Sequence, residues 1–137
     1  MSKMKPGVVY GAKYQELLQS CKDGGYALPA VNVVGSNSIN AVMEAAANNS
    51  SDIIIQLSNG GAQFMAGQGM ADGDAAKVVG GVAAANHVHL LAEYYGVCVV
   101  LHTDHANRKL LPWIDGLIEA GAAYYKENKR PLYSSPM

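Results

Sequence analysis

The stretch VCVVLHTDH (Val97–His105) joins an unbroken apolar run to a cluster of two imidazoles and one carboxylate. A second run, DIIIQLS (Asp52–Ser58), stays apolar until Gln56. Strands without polar alternation are typical of a parallel sheet that is covered on both faces. We therefore predict that both runs are buried strands, each followed by polar residues where the strand ends.

Apolar spacing predicts helices between these strands. Residues 11–23 carry an i, i+3, i+4, i+7 stripe that glycines at 24 and 25 should end. Further helices are predicted over 36–50, 75–95 and 110–130, strands over 26–33 and from 131 onward, and a glycine-rich loop over 59–74. On the helix at 75–95 the predicted apolar stripe includes Val79 and Leu90. Alternating strands and helices predict a parallel α/β fold.

Two architectures fit this alternation. One is an open doubly wound sheet, and the other is a (β/α)8 barrel. The sequence has 137 residues, whereas a barrel of this kind typically needs about 250. Length alone therefore favours the open sheet.

Composition limits the classes of function. Half of the residues are hydrophobic and 15% are charged, which is typical of one globular domain. A net charge of −1 provides no field to attract nucleic acid or an anionic membrane. Cys21 and Cys98 cannot build a disulfide framework, so we expect free buried thiols. With neither an apolar signal core nor a run of membrane-spanning length, we expect a cytoplasmic protein.

Polar residues stand at the predicted strand ends, where parallel α/β folds bind ligands. They are Asn32, Ser58 and the pair Asp104 and His105. Taken alone, His105 fits a hydrogen-bonded loop histidine better than a metal ligand, because a catalytic zinc site needs about three protein ligands. His102 is expected to be packed and hydrogen-bonded to a neighbour. The residues alone thus predict a polar strand-end site whose chemistry stays open.

Several longer strings carry a family resemblance. LHTDHANRKLLPWIDG, ALPAVNVVGSNSINAVMEAA, IIIQLSNGGAQFMAGQG, AAANHVHLLAEYYGVCVVLHTDH and PLYSS resemble consecutive segments of class II fructose-bisphosphate aldolases, in the same order. The resemblance implies a (β/α)8 barrel instead of the open sheet. It also implies that residues 1–137 are the N-terminal half of that barrel, with an N-terminal helix, about three βα units and the start of a fourth strand.

The resemblance implies a reaction and a role for each site residue. The reaction is the reversible, zinc-dependent cleavage of fructose 1,6-bisphosphate into dihydroxyacetone phosphate and glyceraldehyde 3-phosphate by a homodimer. Asp104 would exchange the proton of the C4 hydroxyl, His105 would bind Zn²⁺, and Asn32 with Ser58 would bind substrate oxygens. One divalent metal would serve each complete site, and a monovalent cation is a further candidate cofactor.

One residue departs from the family pattern, and two alternatives stay open. Pro136 stands where the family usually has a histidine. The remaining zinc ligands and most phosphate-binding glycines would belong to the other half of the barrel, so the chain alone should be inactive. The alternatives are a non-catalytic half-barrel with a binding or structural role, and a tagatose-bisphosphate aldolase.

Overall fold

Parallel pairing runs through the whole sheet in the computed structural model, which describes residues 4–136. The strands are β1 (Gly7–Val8), β2 (Ala30–Asn32), β3 (Ile53–Leu57) and β4 (Cys98–Thr103), in the spatial order β1-β4-β3-β2. The helices are α1 (Gly11–Gly24), α2 (Ser36–Asn48), α3 (Asn59–Ala66), α4 (Gly73–Tyr95) and α5 (Leu111–Asn128), and a short 3-10 turn (Arg108–Leu110) precedes α5. The predicted buried strands at β3 and β4 are confirmed.

Each face of the sheet has its own apolar core, because successive strand residues point to opposite sides. On one face, Ile55 of β3 and Leu101 of β4 belong to the large cluster that includes residues of α2, α4 and α5. On the other face, Val100 packs in a smaller cluster with Leu17 of α1. The first face is therefore covered across the sheet, whereas the second is buried at β4 but half-buried on β3 and exposed on β2, so the predicted cover on both faces is only partly met.

Glycine ends two helices as expected. The residues after α1 and α4 are Gly25 and Gly96, and both adopt the left-handed conformation that favours glycine. The buried side of α4 differs from the predicted stripe: Val79 is 51% exposed and Leu90 is 65% exposed. Helix α4 is apolar on nearly all sides, so apolar spacing alone does not define its buried side. Its small residues face the core, because they let neighbouring elements approach closely. Among the described residues, no helix combines the length and apolar character that crossing a membrane requires.

The prediction of a loop over residues 59–74 is wrong for its first half, which forms α3. The side chain of Ser58 accepts a hydrogen bond from the Gly61 backbone N–H at 2.9 Å and so caps this helix. Helix α3 then packs directly against α4. A Cβ at Gly80 would lie 1.8 Å from the carbonyl oxygen of Ala62. Glycine here serves close backbone packing, which composition alone cannot distinguish from flexibility.

Strand β1 was not predicted, because two residues are too few to give a pattern. It pairs with the beginning of β4, while Ser135 forms a single parallel bridge with His102 near its end. The strand predicted from residue 131 is therefore limited, within the described residues, to this one bridge. The Ser134 hydroxyl donates to the carbonyl oxygen of Val9 at 2.6 Å, so both segments share one edge of β4.

Candidate active site

Asp104 lies directly after β4, where the strand turns into a loop. Its backbone N–H donates to the carbonyl oxygen of Leu57 at 2.8 Å, which fixes the turn against the end of β3. Its carboxylate accepts a hydrogen bond from Asn32 Nδ2 at 2.9 Å and one from the His105 backbone N–H at 2.8 Å. The structure thus brings Asp104 and His105, which follow β4, together with Asn32 of β2. Asn32 and Asp104 are 72 residues apart in the sequence.

These contacts favour the charged form of the carboxyl group. The hydrogen bond from Asn32 lowers the pKa of Asp104 below its ordinary value, and the bond from the His105 backbone N–H acts in the same direction. The nearby imidazoles of His105 and His102 add smaller effects of the same sign. Asp104 is therefore an anion at neutral pH, with the protonation state that a proton acceptor needs.

His105 extends the site into solvent. Its residue is exposed, and it stands in the loop between β4 and the 3-10 turn. Across residues 4–136, no group of three or more His, Cys, Asp or Glu side chains is arranged to hold a metal ion. Since catalytic zinc needs about three protein ligands, the described residues do not form a complete zinc site.

Ser58 also follows a strand, but within residues 4–136 no hydrogen bond joins its side chain to the other three residues. Its Oγ accepts the α3 capping bond from Gly61, which leaves the hydroxyl hydrogen available as a donor. Asn32 retains a donor too: Oδ1 accepts from Gln56 Nε2 at 3.0 Å and one Nδ2 hydrogen faces Asp104, so the second Nδ2 hydrogen is available. The strand ends therefore offer two donors beside one carboxylate.

A row of polar residues crosses the sheet beside this site. Asn32, Gln56, His102 and Ser135 are register partners on adjacent strands. His102 Nδ1 lies 2.8 Å from the Ser135 carbonyl oxygen and 2.7 Å from its hydroxyl, which confirms the expected hydrogen-bonded histidine. Gln56 was not predicted as a site residue, because its position next to Asn32 depends on strand register. Its polarity at the end of an aliphatic strand was the available signal.

This arrangement of strands and helices matches a protein of known structure. The crystal structure of fructose-bisphosphate aldolase from Campylobacter jejuni superposes with a TM-score of 0.93 at 54% sequence identity, over 98% of this chain and 38% of that one. The sheet and its helices are therefore part of a (β/α)8 barrel, and the open sheet favoured by length alone is wrong.

The family follows from sequence. Residues 12–137 match the family model described as fructose-bisphosphate aldolase class-II. The curated fructose-bisphosphate aldolases from Edwardsiella ictaluri and Campylobacter jejuni are 53% and 55% identical to this chain, and the class 2 enzyme from Escherichia coli is 50% identical. Each match covers 98% of this chain. The chain belongs to the class II fructose-bisphosphate aldolase family.

The matches also show how much of its relatives' length this chain covers. This chain spans 37% to 38% of the length of these three relatives. Asp104, His105, Asn32 and Ser58 all lie inside the matched segment.

Proposed function

We propose that this chain forms the N-terminal half, residues 1–137, of a class II aldolase that reversibly cleaves fructose 1,6-bisphosphate into dihydroxyacetone phosphate and glyceraldehyde 3-phosphate. The observation that carries the proposal is Asp104, an anionic carboxylate held at a strand end by Asn32 and the His105 backbone. Family membership supplies the reaction class. A cytoplasmic location stays a prediction; Cys21 and Cys98 are both buried, and neither is joined in a disulfide within the described residues.

Asp104 is proposed to accept the proton of the C4 hydroxyl when the C3–C4 bond breaks, and to return it in condensation. The group is anionic and partly exposed, so a substrate hydroxyl can reach it. The available Nδ2 hydrogen of Asn32 and the hydroxyl hydrogen of Ser58 are proposed to donate to substrate oxygens. These two donors would hold the sugar so that its C4 hydroxyl faces the carboxylate.

His105 is proposed as one ligand of a Zn²⁺ ion whose remaining ligands come from residues outside this chain. A divalent metal supplies Lewis-acid stabilisation of negative charge on a carbonyl oxygen when bound. Because the described residues provide no complete metal site, this chain by itself should bind zinc weakly and catalyse no measurable cleavage. A homodimer, a sugar-bisphosphate substrate and an additional monovalent cation are part of the same proposal and rest on the family alone.

A chimera tests the proposal. Residues 12–137 would replace the matched segment of the Campylobacter jejuni aldolase, which is 55% identical. We expect cleavage of fructose 1,6-bisphosphate that is lost on chelation and restored by zinc, measured in a coupled assay. Asp104→Asn should lower kcat by about 10²- to 10⁴-fold. The matched control Asp115→Asn, at an exposed position of α5, should leave kcat unchanged.

The outcomes separate the alternatives. A folded chimera without activity, or one in which Asp104→Asn keeps full activity, would contradict the proposal. Faster cleavage of tagatose 1,6-bisphosphate than of the fructose substrate would assign the chain to the tagatose alternative. Cleavage by the purified 137-residue chain alone would refute the requirement for further zinc ligands.

One observation favours the non-catalytic alternative as a second candidate. Two apolar grooves lie on the face of the sheet that α2 and α5 cover, one toward each edge. One, of about 340 Å³, is lined by residues of α5 and of the 131–136 segment, and another, of about 280 Å³, lies between β2 and α2. Such grooves bind neighbouring apolar elements, which fits a half-barrel that acts only by packing against another polypeptide. A chimera that is folded and inactive would support this candidate.

A further inference from the structure

Gln56 belongs to the polar row but touches the candidate active site only through Asn32. Its Nε2 donates to Asn32 Oδ1 at 3.0 Å, and Asn32 Nδ2 in turn donates to Asp104 Oδ2 at 2.9 Å. Gln56 is partly buried in β3, whereas Asn32 is exposed on β2. The more buried amide therefore holds the more exposed one.

The direction of these bonds defines which end of the Asn32 side chain faces the carboxylate. A carboxylate accepts hydrogen bonds and does not donate, so it requires the Nδ2 end of the amide. An amide that rotated by 180° would place Oδ1 against the Asp104 oxygens, and the two acceptors would repel. Asp104 therefore selects the Nδ2 end of Asn32, and the bond from Gln56 Nε2 to Oδ1 restrains the position of the same carboxamide from its other side.

Local structure gives Asn32 little other restraint. Strand β2 has three residues and lies at the edge of the sheet. Among the described residues, the hydrogen bonds of the Asn32 side chain are those to Gln56 and to Asp104. Without the donor at Gln56, an exposed asparagine side chain on a short edge strand would sample several rotamers.

We propose that Gln56 is a positioning residue that restrains the Asn32 side chain in the rotamer from which its Nδ2 donates to Asp104. Its importance for catalysis rests on the function proposed above, whereas the positioning itself is a property of this chain. In the complete enzyme, the second Nδ2 hydrogen of Asn32 would then point in a fixed direction for a substrate oxygen. Gln56 acts through Asn32 and contacts neither substrate nor metal in this proposal.

The test measures side-chain amide exchange by NMR in the ¹⁵N-labelled chain. Gln56→Met keeps the length of the side chain and removes the donor, and we expect the Asn32 amide hydrogens to exchange about tenfold faster, as the loss of one net hydrogen bond predicts. Asp104→Ala provides the reference rate for an Asn32 amide without its acceptor. Gln15→Met, at an exposed position of α1, is the matched control and should leave the Asn32 rate unchanged.

A folded Gln56→Met chain whose Asn32 amide exchanges at the wild-type rate would overturn the proposal. A second variant gives an independent readout if Gln56→Met does not fold. Asn32→Ala lies at an exposed edge position, and it should accelerate exchange of the Gln56 amide by a similar factor. An unchanged Gln56 rate in this variant would also overturn the proposal.

Kinetics of the chimera separate this proposal from the proposed function. In an active chimera, Gln56→Met should lower kcat about tenfold with a smaller change in KM. A variant in which only KM changes, with kcat unaltered, would contradict the positioning role. If the NMR result holds and the chimera is inactive, positioning stands and the aldolase function fails. If the chimera is active and the Asn32 exchange rate is unaffected, the positioning role fails and the function stands.

Discussion

The two faces of the sheet contrast in what their residues do. On the face covered by α2, α4 and α5, Ile55 and Leu101 are about 1% exposed, and this face stays aliphatic until Thr103, which is also buried, at the end of β4. On the opposite face, Val100 packs against α1, but two residues later the same side becomes polar with His102. The first face is built for stability, and the second changes from packing to chemistry within one strand. Substitutions on the two faces should therefore have different effects.

The largest loss of stability should come from the aliphatic face. Leu101→Ala removes a side chain that is 1% exposed in the centre of the sheet, and we expect about 2–5 kcal/mol less free energy of unfolding. Urea denaturation followed by circular dichroism measures the change. Leu90→Ala is the matched control, because Leu90 is 65% exposed, and it should cost less than about 0.5 kcal/mol. Equal losses would contradict the burial difference.

Close packing of α3 on α4 gives the next effect. Gly80→Ala would place a methyl group 1.8 Å from the Ala62 carbonyl oxygen, a contact that the backbone can relieve only by shifting. We expect destabilisation of about 1–3 kcal/mol, measured by thermal unfolding. Gly60→Ala, in α3, meets no atom within 4 Å and should stabilise the chain by about 0.5–1 kcal/mol. Two effects of the same sign would argue against direct α3–α4 contact.

A pH effect of smaller size should arise under the aliphatic face. His89 is 5% exposed, its Nε2 bonds the Leu132 carbonyl at 2.9 Å, and its Nδ1 is buried without a hydrogen-bond partner among the described residues. Burial lowers the pKa of His89, and Arg130 lowers it further, whereas the bond to Leu132 and the charge of Glu93 act in the opposite direction. The ring also lies 5.2 Å from that of Tyr124.

The direction of this pH effect on stability follows from how strongly the folded and the unfolded chain bind a proton at His89. The unfolded chain protonates this histidine near its ordinary pKa of about 6.5, whereas the folded chain resists protonation. The contribution to stability is therefore complete above about pH 6.5 and is lost as the pH falls through and below this value. His89→Gln should remove part of the decrease in Tm between pH 7.5 and 5.5, whereas Gln15→Met, at an exposed position of α1, should leave the decrease unchanged. A parallel Tm profile in His89→Gln would contradict the assignment.

The smallest loss of stability should come from the polar end of the other face. Asn32→Ala removes an exposed side chain, and we expect a change in the free energy of unfolding below about 0.5 kcal/mol. In the chimera, the same substitution should nevertheless reduce kcat, because it removes a donor to Asp104. A variant that loses more than about 2 kcal/mol would show that the polar row serves mainly stability.

The sequence and the structure agree best where a pattern is long. The apolar runs correctly predicted strands β3 and β4, and the apolar stripe correctly predicted helix α1. Each pattern repeats over several residues, because the element is buried on both faces or along one side. Strand β1 has two residues and gave no pattern. Helix α3 was interpreted as a loop, because its glycines signal flexibility until their packing partners are known. Length alone favoured an open sheet, because 137 residues are fewer than the roughly 250 of a typical barrel.

The candidate site shows the same division. Asp104 and Asn32 were identifiable as polar residues at strand ends, and the structure joins them by a hydrogen bond. Ser58 was identified equally well, but its acceptor is used to cap α3, which position alone does not reveal. Gln56 was overlooked because its contact with Asn32 is set by strand register. A sequence thus locates candidate groups, whereas the pairing of strands decides which of them meet.

The shared edge of β4 has a consequence for synthesis of the protein. Gly7 pairs with Cys98, so β1 leaves the ribosome about ninety residues before its partner strand exists. At translation rates of about 5–20 residues per second, that interval lasts roughly 5–18 seconds. The hydroxyl of Ser134, which reaches the carbonyl of Val9, arrives later still. Within the described residues, β1 therefore remains without its partner strand until β4 has been made, and Val8 stays unpaired during that interval.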